Sequence, residues 1–515
     1  MVMDQDSGVR KDNEDSQKLV LGIDIGDGSS CVAMYNAAVG NSEIIDFSGG
    51  YGRASVPTVL QFCPESDEWV FGESAVMNIG GGDEVNIWGL ASALERGEDV
   101  EVSGVCYSAV ELIGRFIKEI LSMTCYINPN AEISGIVVSC NDYMSQSAKS
   151  RLSEAIGYAG QDNKIVSYKT DSECILTKIL CEEGLANGKA VILDYGSRGF
   201  RIRIFNIEVI SGSIKATVLY SKFDRNLSLA DVENDVSEAV IGYYCDETGS
   251  KRENLSREIK THLKHLSRSH RDLFFQKGKK EKPVQLYYNF AHPPFRKAVT
   301  LEISEQLIDK HKRRLDSLLD KLINYGEISL VICVGSGFEM PWAKEVVNER
   351  FKECSVICPK APKNVQVSGA ALISASILNI CEAKSIEVID PFKAIGNFGI
   401  LIKCDYSARF LPLIEKGMHI SSETKKHIVI IEESTENPVC IDIYSGSSRG
   451  KELELIESIL VQGLPVRPKR VTKLGIRFNL LNQIELEVSL TDEGFGEIFP
   501  KTDYTYRELI KLCQR

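Results

Sequence analysis

The sequence has little of what nucleic-acid-binding, membrane-spanning or zinc-binding proteins need. It contains 60 Lys and Arg against 72 Asp and Glu, a net charge of −12, and its short basic run at residues 277–280 is typical of a solvated loop. We therefore expect no nucleic-acid partner. No apolar run approaches the roughly 20 residues that cross a bilayer, so no membrane partner is expected either. The 15 cysteines offer no second pair beside Cys354 and Cys358, which favours reduced thiols in a cytoplasmic protein over a zinc site.

The pattern of apolar residues divides the chain into four segments. Residues 1–18 are polar and acidic without an apolar core, which predicts a disordered tail and excludes a signal peptide. Residues 19–384 alternate strand-like and helix-like segments, whereas residues 392–515 are dominated by short strands of period two, with one last short helix at 504–513. The sequence therefore predicts an α/β domain, a linker at residues 385–391 and an all-β sandwich.

Two stretches, 170 residues apart, carry a carboxylate and a glycine at a hairpin turn. Asp24 ends an apolar run and is followed by Gly26, and Asp194 is followed in the same way by Gly196. Glycine lets backbone N–H groups approach a bulky anion, and the Asp side chain can hold the water shell of a metal ion beside that anion. The repeated pattern predicts a duplicated domain whose halves close on one phosphate ligand from both sides.

A third glycine-rich turn follows the buried strand predicted at residues 329–334. Gly335, Ser336 and Gly337 come directly after this strand, and a helix with Pro341 near its start comes next. This arrangement is typical of an anion or nucleotide site, although such a turn alone is more often a plain loop. Together with the paired hairpins, it predicts a contact with a nucleoside.

Taken in order, these motifs resemble those of the heat-shock 70-kDa chaperones of the DnaK type. The segment GIDIG at 22–26 resembles the family's first phosphate loop, DYGS at 194–197 the second, and VGSG at 334–337 the adenosine-site loop. Residues 362–371 are similar to the proline-led helix that follows, and residues 410–414 to the start of the peptide-binding β-domain. The resemblance implies a duplicated actin-like, two-lobed nucleotide-binding domain followed by an all-β sandwich. It also implies ATP or ADP with Mg²⁺ as cofactors, and a monomer with polypeptide clients or co-chaperones as partners.

The resemblance also assigns roles to individual residues. It implies catalytic roles for Asp24, Asp171 and Asp194, of which Asp24 and Asp194 would also hold the metal through water. It places the phosphates at Gly26, Asp27, Gly28, Gly196, Ser197, Arg198 and Gly199. It places the adenosine at Gly335, Ser336, Gly337 and Glu339.

Several positions depart from the family's pattern. Asp27 and Gly28 stand where two threonines should face the phosphates, and a carboxylate about 4 Å from a phosphate would repel it by roughly 4 kcal/mol at an effective dielectric near ~20. The family's phosphate-side lysine falls within residues 86–97, which contain no lysine. Arg201 replaces an acidic residue, and Arg198 is our hypothetical substitute for the missing lysine. We therefore expect ATP binding with weak or absent hydrolysis.

The β-domain carries the predicted peptide site. Ile400, Ile402, Val439 and Ile441 are candidates for an apolar groove that binds extended peptide, and a place in the sandwich core fits their pattern equally well. The resemblance implies that the family's helical lid is missing after Leu490, so bound peptide should dissociate fast.

Three classes of function are compatible with the sequence. The first is an ATP-dependent chaperone in which the linker transmits nucleotide binding to the β-domain. The second is a degenerate pseudo-chaperone that acts as an adapter or nucleotide-exchange-factor-like scaffold. The third is a small-molecule kinase or filament-forming ATPase on the actin-like fold, and the β-domain after residue 391 argues against it.

Overall fold

A computed structural model describes residues 17–512, apart from 49, 51–53, 78–84, 130, 185, 211–212, 275–283, 289–294, 300, 383–385, 405–406, 421–423 and 448–451. Most of the predicted tail, residues 1–16, therefore lies outside the described residues, as does the basic run at 277–280. Gln17 and Lys18, which the sequence placed in the tail, begin the first strand.

The described residues form 27 strands and ten α-helices, which confirms the expected mixed α/β composition. The first twelve strands are β1 (Gln17–Ile25), β2 (Ser29–Asn36), β3 (Asn41–Ile44), β4 (Ser55–Pro57), β5 (Leu60–Cys63), β6 (Glu68–Phe71), β7 (Val85–Ile87), β8 (Asp99–Val102), β9 (Val105–Ser108), β10 (Ala131–Cys140), β11 (Ile165–Thr170) and β12 (Gly188–Tyr195). The next seven are β13 (Phe200–Ile210), β14 (Ser213–Asp224), β15 (Val284–Tyr288), β16 (Phe295–Val299), β17 (Leu330–Val334), β18 (Ser355–Ile357) and β19 (Ile386–Ile389). The last eight are β20 (Asn397–Cys404), β21 (Ser407–Ile414), β22 (His427–Ile431), β23 (Val439–Gly446), β24 (Glu454–Val461), β25 (Thr472–Asn482), β26 (Glu485–Gly494) and β27 (Thr505–Lys511).

The helices lie between strands of the first three quarters of the chain. They are α1 (Gly72–Met77), α2 (Leu90–Arg96), α3 (Ala109–Ile127), α4 (Gln146–Tyr158), α5 (Asp171–Glu182), α6 (Leu229–Thr248), α7 (Arg257–Phe274), α8 (Leu301–Asp320), α9 (Pro341–Arg350) and α10 (Val365–Ile377). Among the described helices, none combines the length and the apolar character that a membrane span requires.

The first large sheet has six strands in the order β11-β10-β1-β2-β3, with β4 beside β2. The strands β1 and β2 form an antiparallel hairpin, whereas β10 runs parallel to both β1 and β11. The register places Asp24 opposite Cys31 on β2 and opposite Ser139 on β10. The carboxylate therefore stands at the end of a central strand, beside the hairpin turn.

The second large sheet repeats this arrangement in the order β18-β17-β12-β13-β14-β19. The strands β12 and β13 form an antiparallel hairpin, and β17 runs parallel to both β12 and β18. Five strands thus follow the same order and directions as β11-β10-β1-β2-β3. Asp194, opposite Arg201 and Val334, occupies the position that corresponds to Asp24.

The sixth strand of the second sheet comes from the predicted linker. Residues Ile386–Ile389 form β19, which pairs in parallel with β14 along Ile214–Thr217. One side of this segment is paired with β14, so most of the predicted linker is an edge strand of the second large sheet.

Helix α10 lies against the first sheet because two glycines allow a close approach. A Cβ on Gly22 would lie 2.4 Å from backbone atoms of Val367 and Ala371, and one on Gly369 would lie 1.9 Å from the carbonyl oxygen of Cys174 in α5. Any side chain at these positions would collide with backbone, so glycine is required. This packing fixes the short helical turn Pro362–Asn364, which precedes α10, beside the end of β1.

The last eight strands form two antiparallel sheets with one apolar core. One sheet has the order β21-β20-β23-β24 and the other β22-β25-β26-β27, and the core includes Ile443, Phe478 and Leu490, all fully buried. The predicted short helix at 504–513 is wrong, because Thr505–Lys511 form β27, paired with β26. Pairing along β26 and the burial of Ile510 stabilise the extended form over local helix formation.

Candidate functional site

The two hairpin turns open onto one large cavity of about 1610 Å³. Asp24 and Asp194 both line it, and so do Asp171 at the start of α5 and Gly335 after β17. The cavity also contains the other predicted phosphate and adenosine residues except Gly337: Gly26, Asp27, Gly28, Gly196, Ser197, Arg198, Gly199, Ser336 and Glu339. Gly337 instead packs on the ring of Tyr195, where an added Cβ would lie 2.2 Å from a ring carbon.

The turn at Gly335 is built around glycine. Its φ of 89° lies in the left-handed region, and a Cβ would lie 2.7 Å from Oδ1 of Asp194 and 2.5 Å from the carbonyl oxygen of Tyr195. Its N–H donates to the carbonyl oxygen of Pro362 over 3.2 Å. The turn therefore joins the end of β17 to the turn before α10, with backbone close to the cavity.

Lys363 is the cavity residue that sequence reasoning missed. Its Nζ lies 2.5 Å from Oδ2 of Asp24, and the side chains of both residues are nearly buried. Burial alone would lower the pKa of Lys363, but Asp24 and, with a smaller effect, Asp194 raise the pKa above its usual value, so the ammonium stays charged. The sequence did contain a signal for this residue, because Lys363 directly follows the proline of the proline-led helix.

Arg201 lies among three carboxylates at the inner end of the cavity. Its Nη1 lies 3.4 Å from Asp171, 3.6 Å from Asp194 and 3.7 Å from Asp142. Burial and the charge of Asp142 raise the pKa of Asp171 to about 7, although Arg201 opposes this shift. Burial likewise raises the pKa of Asp194, against the effect of Arg201 and Lys363. Two of the three carboxylates predicted to be catalytic, Asp171 and Asp194, thus lie beside a guanidinium.

The carboxylate of Asp27, which lines the cavity, is paired with groups of the protein itself. Its Oδ1 accepts a 2.7 Å hydrogen bond from the backbone N–H of Ser92 in α2, and its Oδ2 accepts from the Ser92 hydroxyl. Arg198 lies 3.1 Å from the same carboxylate and 2.9 Å from Glu95. The charge of Arg198 is therefore shared between two carboxylates of the first half, and this pairing offsets part of the negative charge of Asp27.

The two hairpin turns approach each other across the cavity mouth. A Cβ on Gly28 would lie 3.0 Å from Cβ of Ser197, and Arg198 bridges from the second turn to the first through Asp27. Both turns therefore lie close enough together for one ligand to contact them at once.

The predicted metal ligands already have basic partners. Asp24 is paired with Lys363, and Asp194 with Arg201. Within the part of the chain that the structure describes, no three His, Cys, Asp or Glu side chains are grouped so as to hold a metal ion.

A buried ion network leads from the cavity to the linker. Arg203, two residues beyond Arg201 on β13, lies 2.5 Å from Asp142 through Nη1 and contacts the Asp390 carboxylate through Nη2. The same Nη1 donates to the Ser172 hydroxyl over 2.6 Å. Asp390 directly follows β19, so Arg203 joins both large sheets to the linker.

The β-domain contacts the start of α4 next to this network. The backbone N–H of Ser147 donates to Glu415 over 3.1 Å, and that of Gln146 donates to the carbonyl oxygen of Lys416 over 3.1 Å. His419 stacks edge-on against Tyr143 and lines the cavity. The β-domain therefore reaches the edge of the cavity.

The predicted peptide-groove residues lie in the core of the β-domain. Ile400, Val439 and Ile441 are buried between the two sheets, and the half-buried Ile402 packs against them. This placement corresponds to the alternative that the sequence left open, namely that these residues belong to the core of the sandwich. Packing in the core accounts for their apolar character.

Comparison with known proteins gives two partial family matches and one similarity over most of the chain. Residues 43–271 match the C-terminal part of a family of unknown function, DUF5716, and residues 394–512 match a domain of unknown function, DUF8552. The chain is 22% identical over 511 residues to "Chaperone protein DnaK" of Anaplasma marginale (strain St. Maries), which covers 93% of this chain and 75% of that protein. The chain is therefore distantly similar to DnaK, and this similarity spans both the α/β and the β part.

Proposed function

We propose that the chain is a chaperone-like protein that binds ATP or ADP in the large cavity and hydrolyses ATP weakly or not at all. Residues 19–384 would form an actin-like nucleotide-binding domain of two related lobes, 385–391 the linker, and 392–515 a substrate-binding-like β-sandwich. One observation carries the proposal: two hairpins in corresponding positions of two sheets, and a glycine turn after a third strand, open onto the same cavity. The distant similarity to DnaK supports the same function.

The chemistry of the cavity supports binding more than turnover. Glycines 26, 28, 196 and 199 line the cavity, and because they carry no side chain a phosphate chain could come close to the backbone there. Phosphoryl transfer depends on positioning and on cationic charge around the transferred group. Here the guanidinium of Arg201 lies beside Asp171 and Asp194, two of the three carboxylates predicted to be catalytic, and beside Asp142.

The engagement of Arg201 by carboxylates also favours a second candidate function. In this function the chain is a pseudo-chaperone that acts as an adapter or exchange-factor-like scaffold. In that function, nucleotide would stabilise one arrangement of the lobes without being consumed. Polypeptide clients or co-chaperones would be the partners of the β-domain in both cases.

Equilibrium binding of labelled ATP, paired with a turnover assay on the same preparation, tests the proposal. We expect saturable binding at one site, with turnover that is slow or no faster than in buffer. Gly196→Val should abolish binding, because the branched side chain can extend into the cavity. The fold should not be disturbed, since an added Cβ at this position has no neighbour closer than 3.7 Å. Gly242→Val on the exposed face of α6 is the matched control and should bind like the wild type. Absence of binding by the folded wild type would contradict the proposal, and rapid turnover would contradict its pseudo-enzyme form.

A further inference from the structure

The carboxylate Asp24, predicted to hold a metal ion, faces a lysine instead. The ammonium of Lys363 lies 2.5 Å from Oδ2 of Asp24 and is within electrostatic reach of Asp194. Its side chain is only 14% exposed. Since the turn Pro362–Asn364 is fixed by the packing of α10, the lysine is a permanent part of the cavity wall.

The second predicted metal ligand, Asp194, faces an arginine. Nη1 of Arg201 lies 3.6 Å from Asp194, and Nη2 donates to the side-chain oxygen of Asn141 over 3.1 Å. The Arg201 side chain is 15% exposed, so its position is also fixed by its surroundings.

These residues do not fit a hydrated magnesium ion. Mg²⁺ takes six oxygen ligands in a strict octahedron and keeps several waters, each of which needs a carboxylate oxygen or another acceptor. The ammonium of Lys363 takes up an oxygen of Asp24 and would repel a dication placed beside it.

Two further features place a ligand next to Lys363. A Cβ on Gly26 would lie 3.2 Å from Nζ of Lys363, so the ammonium is adjacent to the first glycine turn. Gln366, on the first turn of α10, lines the cavity and is 5% exposed, and its side-chain oxygen has no hydrogen-bond partner within the described residues. A buried amide oxygen of this kind requires a hydrogen-bond donor, which a water molecule or a hydroxyl or amino group of a bound nucleotide can supply.

We propose that the cavity binds the phosphates of a nucleotide without a divalent metal ion, with the charges of Lys363 and Arg201 in place of the metal. This inference rests on the proposed nucleotide binding. The two cations offset part of the carboxylate charge of the cavity, and their N–H groups can donate charge-assisted hydrogen bonds to phosphate oxygens, which is the contact that a bridging ion would otherwise make. Mg²⁺ in solution also binds ATP and so competes with the protein for it. The form of ATP that the protein binds is therefore the one without a metal ion.

Calorimetric titration of the full chain with ATP tests this inference, once with excess MgCl2 and once with excess EDTA. We expect binding in EDTA to be as tight as in Mg²⁺ or tighter. Binding that Mg²⁺ strengthens by about tenfold or more would overturn the inference while leaving the proposed nucleotide binding intact. Absence of ATP binding under both conditions would overturn both.

A lysine variant tests the role of the side chain. Lys363→Ala should weaken ATP binding in EDTA by about tenfold or more, because one charge-assisted contact is lost. It should regain affinity on addition of Mg²⁺, since Asp24 is then free to hold the ion. Lys360→Ala, which removes an exposed lysine three residues earlier, is the matched control and should leave both titrations unchanged. Identical titrations of Lys363→Ala and the wild type would overturn the inference, and the wild-type comparison decides it even where the variant fails to fold.

Discussion

The guanidinium of Arg203 contacts the carboxylate of Asp390, and both side chains are buried, with 1% and 2% of their surface exposed. Arg203 stands in the middle of β13, whereas Asp390 follows the linker strand β19. Because Arg203 also binds Asp142 beyond the end of β10, one side chain holds the linker and both large sheets together. The linker is therefore tied to the cavity region by a buried charge as well as by its pairing with β14.

Removal of this guanidinium should lower the stability of the fold and loosen the attachment of β19. We expect Arg203→Met to lower the free energy of unfolding by about 3–5 kcal/mol, because Asp142 and Asp390 are left as uncompensated buried charges. Urea denaturation measures the loss, and amide exchange should locate the local opening at Ile386–Ile389. Glu387→Gln, on the exposed position of β19, should change neither quantity. Equal stability of Arg203→Met and the wild type would show that the network does not hold the linker.

A second prediction concerns the effect of the Asp27 carboxylate on stability and on ATP binding. Since Asp27 accepts hydrogen bonds from Ser92 and pairs with Arg198, Asp27→Ala should cost about 1 kcal/mol of stability and should not strengthen ATP binding. Thermal unfolding and ATP titration give the two quantities, and Glu65→Ala on an exposed turn serves as the control. A gain of about a hundredfold or more in ATP affinity would mean that the carboxylate faces the phosphates after all.

The hairpin positions could be predicted from the sequence because their signals are local. An apolar run, an aspartate and a glycine two residues later specify strand and turn within a dozen residues, and the structure places both turns at one cavity. The partners of these aspartates could not be predicted in this way. Lys363 is 339 residues from Asp24, and its contact depends on how closely α10 packs on the first sheet.

The local sequence pattern also gave a wrong prediction where pairing between strands decides the secondary structure. Residues 504–513 contain good helix formers, yet β26 offers an unpaired edge and the core accepts Ile510, so β27 forms instead. The isoleucines and valine assigned to a peptide groove alternate as any half-buried strand does. Which face of a strand meets the second sheet is fixed only by the assembly of both sheets.

A third prediction concerns acid stability of the β-domain. Burial alone would raise the pKa of Asp492, but hydrogen bonds from Arg467, Gly494 and Thr502 lower it from its ordinary 3.8 to about 2. Since the folded pKa is depressed, the pair stabilises the fold above pH ~4, and this contribution of about 2 kcal/mol is lost as the pH falls toward ~2.

The comparison of wild type with Asp492→Asn measures this effect. At neutral pH the variant should lose about 3 kcal/mol or more, because the buried guanidinium of Arg467 loses its charged partner. The difference in unfolding free energy should shrink between pH ~5 and ~2.5, whereas Glu497→Gln on the exposed turn should match the wild type throughout. A difference that stays constant with pH would contradict the assignment.

A fourth prediction separates core from groove in the β-domain. Ile441 is 8% exposed within the core, so Ile441→Ala should lower stability by about 2–4 kcal/mol and leave the affinity of the folded protein for an extended peptide unchanged. Ile430→Ala, at a position 51% exposed on β22, should change stability by no more than about 0.5 kcal/mol. Normal stability of Ile441→Ala combined with lost peptide binding would restore the groove assignment.

Our central proposal is that a nucleotide bound in the cavity would change the stability of β19, the strand formed by most of the predicted linker. We expect a nucleotide that contacts both hairpin turns to stabilise the arrangement in which Arg203 binds Asp142 and Asp390 at once. Hydrogen exchange of the amides at Ile386–Ile389, measured with and without saturating ATP, tests this most directly. We predict exchange that is slower by about fivefold or more with ATP in the wild type and unchanged in Gly196→Val. Identical exchange in the wild type, under conditions where calorimetry shows the site to be saturated, would contradict the account.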